Sequence, residues 1–165
     1  MKPYIIKIEW QGPFRANYVI EDKNDAGVES NGYAGSDYGL YQIYGRHILC
    51  KDDTLLYIGK ACQQTFSGRF KQHWKEWLKE EKNIIIYLGK IEDSIRYTKA
   101  NSWRNWLRDV DMAESILIYK YSPNYNSACL GELPNINPYK EVSLLHIGNK
   151  HRLKQKDYAT KTMVR

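Results

Sequence analysis

Hydrophobic and polar positions alternate along residues 4–10, with Tyr4, Ile6, Ile8 and Trp10 on one side and Ile5, Lys7 and Glu9 on the other. A period of two predicts a half-buried strand. Gly12-Pro13 breaks it, and Tyr18-Val19-Ile20 begins a second short element. Residues 21–36 are rich in Asp, Asn, Gly and Ser and predict a surface loop. Tyr41-Gln42-Ile43-Tyr44 is β-prone; a strand there sends Tyr41 and Ile43 to one face and Leu40 and Gln42 to the other. Residues 45–54 read as a hairpin connection and Leu55 to Gly59 as the return strand. Tyr41 and Tyr57 are thereby expected on adjacent antiparallel strands, and Gly59 leaves room for a close approach.

The period then changes from two to that of a helix. Thr65 is a predicted N-cap, and Phe66, Phe70, Trp74, Trp77 and Leu78 form an apolar stripe after it. Arg69 and His73 are one turn apart and point the same way. Residues 83–91 carry Ile84-Ile85-Ile86-Tyr87-Leu88, the most hydrophobic run, and predict a buried central strand. Residues 93–108 read as a helix with Trp103, Trp106 and Leu107 and a basic outer face of Arg96, Lys99, Arg104 and Arg108. Asp109 or Asp111 is expected to cap a second helix through about Tyr121, with Val110, Ala113, Leu117 and Tyr121 on its apolar face. Glu114 lies on that face. A carboxylate facing a core is costly unless it is paired or bound to metal, but Asp111-x-x-Glu114 also has capping-box spacing, so both readings stand. Pro123 ends the helix, Asn124-Tyr125-Asn126 is a turn, residues 131–139 are a linker, and residues 142–147 predict a last strand.

Composition narrows the classes. With 165 residues, 14 Tyr and 5 Trp, the chain suits one domain with a packed core. The formal charge is +6, and residues 149–165 alone hold six Lys or Arg against one Asp, a net of +5. This basic end is either a solvated tail or a phosphate-contacting arm through Lys150, Arg152 and Lys154. Cys50, Cys62 and Cys129 are irregularly spaced and read as free thiols of a reducing compartment. With no signal peptide and no apolar run of membrane length, a cytoplasmic location is expected.

Gly39-Leu40-Tyr41 and Tyr57-Ile58-Gly59, the Arg69/His73 pair, Glu114 and Asn126 occur in the order of the GIY-YIG nuclease signature, and residues 37–128 resemble that family. The resemblance implies a mixed α/β (α+β) core over 37–128, built on a central three-stranded antiparallel sheet flanked by helices. Residues 1–36 would be an N-terminal extension packing on it and residues 129–165 a C-terminal extension. It implies a divalent-metal-dependent DNA endonuclease, restriction-type or otherwise. Glu114 would hold Mg²⁺ or Mn²⁺, Arg69 would clamp the scissile phosphate, and Tyr41 would be the general base. Tyr57 would orient water or phosphate, His73 would carry a proton or donate a hydrogen bond, and Asn126 would brace the site. Lys60 and Lys71 join Arg69 as expected backbone contacts. Tyrosine is a poor base near neutrality, so this role expects the Arg69 charge and a metal to lower the Tyr41 pKa. A non-cutting nucleic-acid-binding module and an RNA-directed nuclease remain as alternatives.

Overall fold

A computed structural model describes residues 3–21, 38–49, 51–91, 102–132 and 134–161. Among them, one mixed six-stranded sheet carries helices on both faces. Its strands are β1 (Tyr4–Phe14), β2 (Gly39–His47), β3 (Lys51–Ala61), β4 (Ile85–Ile91), β5 (Glu141–Gly148) and β6 (Lys156–Thr160), in the order β3-β2-β4-β1-β5-β6. All neighbours are antiparallel except β1 and β5. The antiparallel trio β3-β2-β4 is therefore one half of a larger sheet, which corrects the expected three-stranded sheet. The extra strands come from outside residues 37–128. Ile8 pairs with Ile91 on one side and with His146 on the other, which puts β1 inside the sheet.

The helices are α1 (Ala16–Ile20), α2 (Phe66–Glu76) and α3 (Ser102–Tyr121), with a 3₁₀ turn at Leu78–Glu80. The Thr65 hydroxyl accepts from the Gly68 amide at 3.2 Å and caps α2 as expected. The buried stripe of α2 is Phe66, Phe70 and His73, whereas Trp74 is 41 % exposed. Positions 66, 70, 73 and 77 keep the helical period and 74 lies to the side, which corrects the expected stripe.

A single helix replaces the two expected around residues 93–121; residues 93–101 lie outside the described ones. Asp109 does not cap a helix. It is fully buried inside α3 and accepts from the Tyr4 hydroxyl at 2.9 and 3.0 Å. Glu114 likewise sits mid-helix, where every nearby amide already has its helical partner, so the capping-box reading of Asp111 and Glu114 falls.

Two apolar clusters divide along the sheet. On one face, Ile8, Trp10, Leu40, Tyr44 and Ile58 pack under Val110, Ala113 and Leu117 of α3. On the other, Tyr41, Ile43, Ile86 and Leu88 meet Val19 of α1 and Phe66 and Phe70 of α2. β2, covered by a cluster on each face, buries both sets of its alternating side chains from Gly39 through Gly45, whereas β1 leaves Ile5, Lys7 and Glu9 exposed. The basic end is not a free arm as far as residue 161. Its residues 156–160 form the edge strand β6 on β5.

Candidate active site

Tyr41 and Tyr57 stand on neighbouring strands one register step apart, Tyr41 opposite Gly59 and Tyr57 opposite Ile43. Their rings lie 6.1 Å apart on the α2 face. Gly59 makes this possible: a Cβ there would fall 2.6 Å from Tyr41 Cζ and 2.7 Å from Tyr57 Cε1, inside any van der Waals contact. At the start of β2, Gly39 takes a φ of +155° and lies against the Gly89 carbonyl, with Phe66 3.2 Å from where its Cβ would be.

α2 lays Arg69 and His73 over these rings. Tyr41 Oη is 2.7 Å from His73 Nε2, and Arg69 Nε donates to the same oxygen at 3.3 Å. The indole Nε1–H of Trp77 donates to His73 Nδ1 at 3.1 Å. Arg69 Nη1 also reaches Gln72 Oε1 at 2.7 Å, which holds the guanidinium along the helix surface.

The electrostatics follow from burial. Tyr41 is fully buried. Burial, with Tyr57 adding, pushes its phenol well above the ordinary tyrosine value, and the hydrogen bond and charge of Arg69 only partly oppose this. Arg69 pulls the Tyr41 pKa down as expected, but desolvation outweighs it and the net shift is upward. Burial and the Arg69 charge together hold His73 down at about 4, so its imidazole is neutral at physiological pH.

Beside this cluster, where Gly39 pairs with Ala61, a cleft of ≈ 970 Å³ opens between the ends of β2 and β3 and the flank of α3. Lys60, Arg69, Asp111, Glu114, Tyr38 and Trp103 are among the residues lining it. Lys60 Nζ lies 2.7 Å from Glu114 Oε2 and 2.8 Å from Asp111 Oδ1, so one ammonium bridges two carboxylates a helical turn apart. Burial works against the Lys60 charge, but these two partners outweigh it and hold its pKa above the usual lysine value. Burial raises the Glu114 carboxyl while Lys60 pulls it back. Cys62 also lines the cleft, and burial pushes its thiol up to about 12, which excludes it as a thiolate nucleophile near neutrality.

Asn126 acts from the other side of β3, the sheet's edge strand. Its Oδ1 accepts from the Ile58 amide at 3.0 Å and its Nδ2 donates to the Ile58 carbonyl at 2.8 Å. The Tyr125 amide adds a bond to the Leu56 carbonyl at 2.8 Å. The turn after α3 therefore closes the open edge beside Tyr57.

The fold brings Tyr41, Tyr57, Arg69 and His73 together, and places Lys60 and Glu114 in the cleft that Arg69 also lines. It does not bring the other expected nucleic-acid contacts there. Lys71 is exposed on α2. Lys150 Nζ caps the Leu153 carbonyl at 2.8 Å, Arg152 pairs with Asp53 at 2.8 Å, and Lys154 offers its backbone amide to the Tyr121 hydroxyl at 2.8 Å. None of these four lines the cleft. Two residues expected only as a cap and as part of the apolar stripe belong to the site. Asp111 was readable from its i, i+3 spacing to Glu114, and Trp77 from its i, i+4 spacing to His73.

Among the described residues no group of three or more His, Cys, Asp or Glu converges into a metal cage. The oxygens of Glu114 and Asp111 nonetheless suit a hard cation that keeps most of its water shell, since such an ion needs only one or two carboxylates. None of the described helices is long and apolar enough to cross a membrane. The chain matches no family model, no curated protein and no solved structure.

Proposed function

We propose that the chain is a divalent-metal-dependent endonuclease that hydrolyses DNA phosphodiester bonds. The observation that carries this reading is the convergence of Tyr41, His73 and Arg69 on one phenolic oxygen, next to a cleft that also holds Lys60 and Glu114. The resemblance of these residues to the GIY-YIG signature supports it. Phosphodiester hydrolysis needs a proton acceptor for water, positive charge at the phosphoryl oxygens and help for the leaving oxygen. Arg69 supplies a planar cation on the lining of the cleft, suited to a forked phosphate contact. Tyr41 is the proposed base; since burial holds its phenol protonated near neutrality, the role requires a cation held at Glu114 to add to the pull of Arg69 and favour the phenolate. Tyr57, half-buried beside it, orients the attacking water or the phosphate. Glu114, with Asp111, is where Mg²⁺ or Mn²⁺ would be held; such an ion supplies Lewis-acid stabilisation of the developing charge. Lys60 must then leave the carboxylates, and its ammonium is free to contact a backbone phosphate.

Incubation of supercoiled plasmid with Mg²⁺ or with EDTA tests the proposal. Nicked or linear DNA with Mg²⁺, none with EDTA and none with Glu114→Gln is the expected result. Discrete fragments would indicate a sequence-specific, restriction-type enzyme. The Lys60 bridge, which satisfies both carboxylates with one ammonium and offsets half of their charge without any metal, favours a second reading: a non-cutting nucleic-acid-binding module. Binding without cleavage under every metal would establish that reading instead. Cleavage of RNA but not DNA would redirect the substrate.

A further inference from the structure

The two hydrogen bonds of the His73 ring determine more than its position. Indole Nε1 of Trp77 carries a hydrogen and has no lone pair to accept with, so at 3.1 Å it is the donor and His73 Nδ1 the acceptor. A neutral imidazole has one acceptor nitrogen and one N–H. Nδ1 being the acceptor, the hydrogen of His73 resides on Nε2, 2.7 Å from Tyr41 Oη. Glu76 Oε2 lies 3.9 Å from Nδ1, beyond hydrogen-bonding range. His73 therefore donates to Tyr41, and Arg69 Nε–H donates to the same oxygen at 3.3 Å. Both lone pairs of the phenolic oxygen are engaged, and its own hydrogen points away from His73 and Arg69.

We infer that Trp77 is a positioning residue: it fixes the Nε2–H tautomer of His73, making His73 a hydrogen-bond donor to Tyr41 rather than a carrier of its proton. The inference rests on the proposed role of Tyr41 as base. A phenolate formed there would be met at once by two N–H donors already aimed at it, so its stabilisation needs no rearrangement. The opposite tautomer would invert this. His73 would then accept the Tyr41 hydrogen, and the oxygen would lose one donor. Trp77 is well placed for the task. It is the C-cap of α2, with its amide bonded to the His73 carbonyl at 2.9 Å, and its ring is held edge-on to Tyr125 at 5.3 Å.

The first arm of the test is spectroscopic. Two-bond ¹H–¹⁵N correlation spectra of protein labelled at its 4 histidines report each tautomer, and the His73 signals are identified by their loss in His73→Gln. The expected wild-type pattern is Nε2–H, shifting toward Nδ1–H or a mixture in Trp77→Phe. A wild-type Nδ1–H pattern, or a pattern unchanged in Trp77→Phe, overturns the inference. The second arm is single-turnover cleavage. Trp77→Phe should slow the chemical step about tenfold or more with little change in substrate affinity. The same substitution should have no further effect in His73→Gln, because an amide has no tautomer to set. An equal loss in both backgrounds would mean that Trp77 acts by packing alone, and overturns the inference. A wild-type protein that cuts no DNA would remove the catalytic reading, while the tautomer itself would still be decided by the spectra.

Discussion

The proposed chemistry rests on a few atoms, and single substitutions separate their roles. Tyr41→Phe keeps the ring that packs against Phe70 and removes the oxygen on which Arg69 and His73 converge. Arg69→Lys keeps the charge and loses the planar fork. Each should reduce single-turnover cleavage about 10²-fold or more, whereas Tyr57→Phe should be milder. Near-wild-type rates for both Tyr41→Phe and Arg69→Lys would remove Tyr41 as the base. His73 carries a stability consequence of defined sign. Its folded pKa, about 4, lies below the unfolded value of 6.5, so the unfolded chain binds the proton more readily. The contribution is complete above pH 6.5 and is lost as pH falls toward 4, on the order of 3 kcal/mol. Chemical denaturation across that range should show a steeper acid-side loss in wild type than in His73→Gln. Parallel slopes would mean that His73 titrates alike in the folded and unfolded chains.

At the scale of elements, the edge strand β3 depends on the turn after α3. Asn126→Ala removes both bonds to Ile58 and should cost about 1–3 kcal/mol. Hydrogen exchange at the Ile58 amide should speed up before the central strands are affected. Unchanged protection there would show that Asn126 is not what holds the edge. β2, β3, β4 and β5 were legible because strand period and β-branched runs are local signals. The site was legible in two halves for the same reason: strand pairing sets Tyr41 beside Tyr57 and one-turn spacing sets Arg69 beside His73, whereas the meeting of these four side chains was implied only by the resemblance. α3 was misjudged at Asp109 and Asp111, which look like caps. Their true partners are Tyr4 on β1 and Lys60 on β3, far away in the chain. The depressed basicity of His73 was equally hidden, since burial by a distant sheet leaves no mark in a helical repeat. β6 was missed because Lys156-Asp157-Tyr158-Ala159-Thr160 is short and polar, and only pairing with β5 makes it a strand.

At the scale of the whole molecule, the C-terminal region is tied in by buried polar groups. Trp10 Nε1–H donates to His146 Nδ1 at 2.9 Å, and His146 Nε2 stands 3.3 Å from Asp157 Oδ2. The Tyr121 hydroxyl donates to that same carboxylate oxygen at 2.9 Å. Asp157→Ala should therefore destabilise by about 1–3 kcal/mol, since it removes the acceptor of the half-buried Tyr121 hydroxyl and the carboxylate that faces buried His146. Truncation after Gly148 should lower the melting temperature and not merely flatten the salt dependence of DNA binding. A truncated protein as stable as the full chain would show that β6 is only an ornament on the edge. The position of β1 also has a consequence for biosynthesis. β1 is translated before every other described strand, yet one of its flanks waits for β4 and the other for β5. Until residues 141–148 have left the ribosome, the hydrogen-bonding groups along one side of Tyr4–Trp10 have no strand to receive them. A ribosome that stalls in the connection before β5 would display an open, sticky strand edge, a natural handle for chaperones and proteases. The finished sheet, and with it any cutting activity, would arrive only near the end of translation.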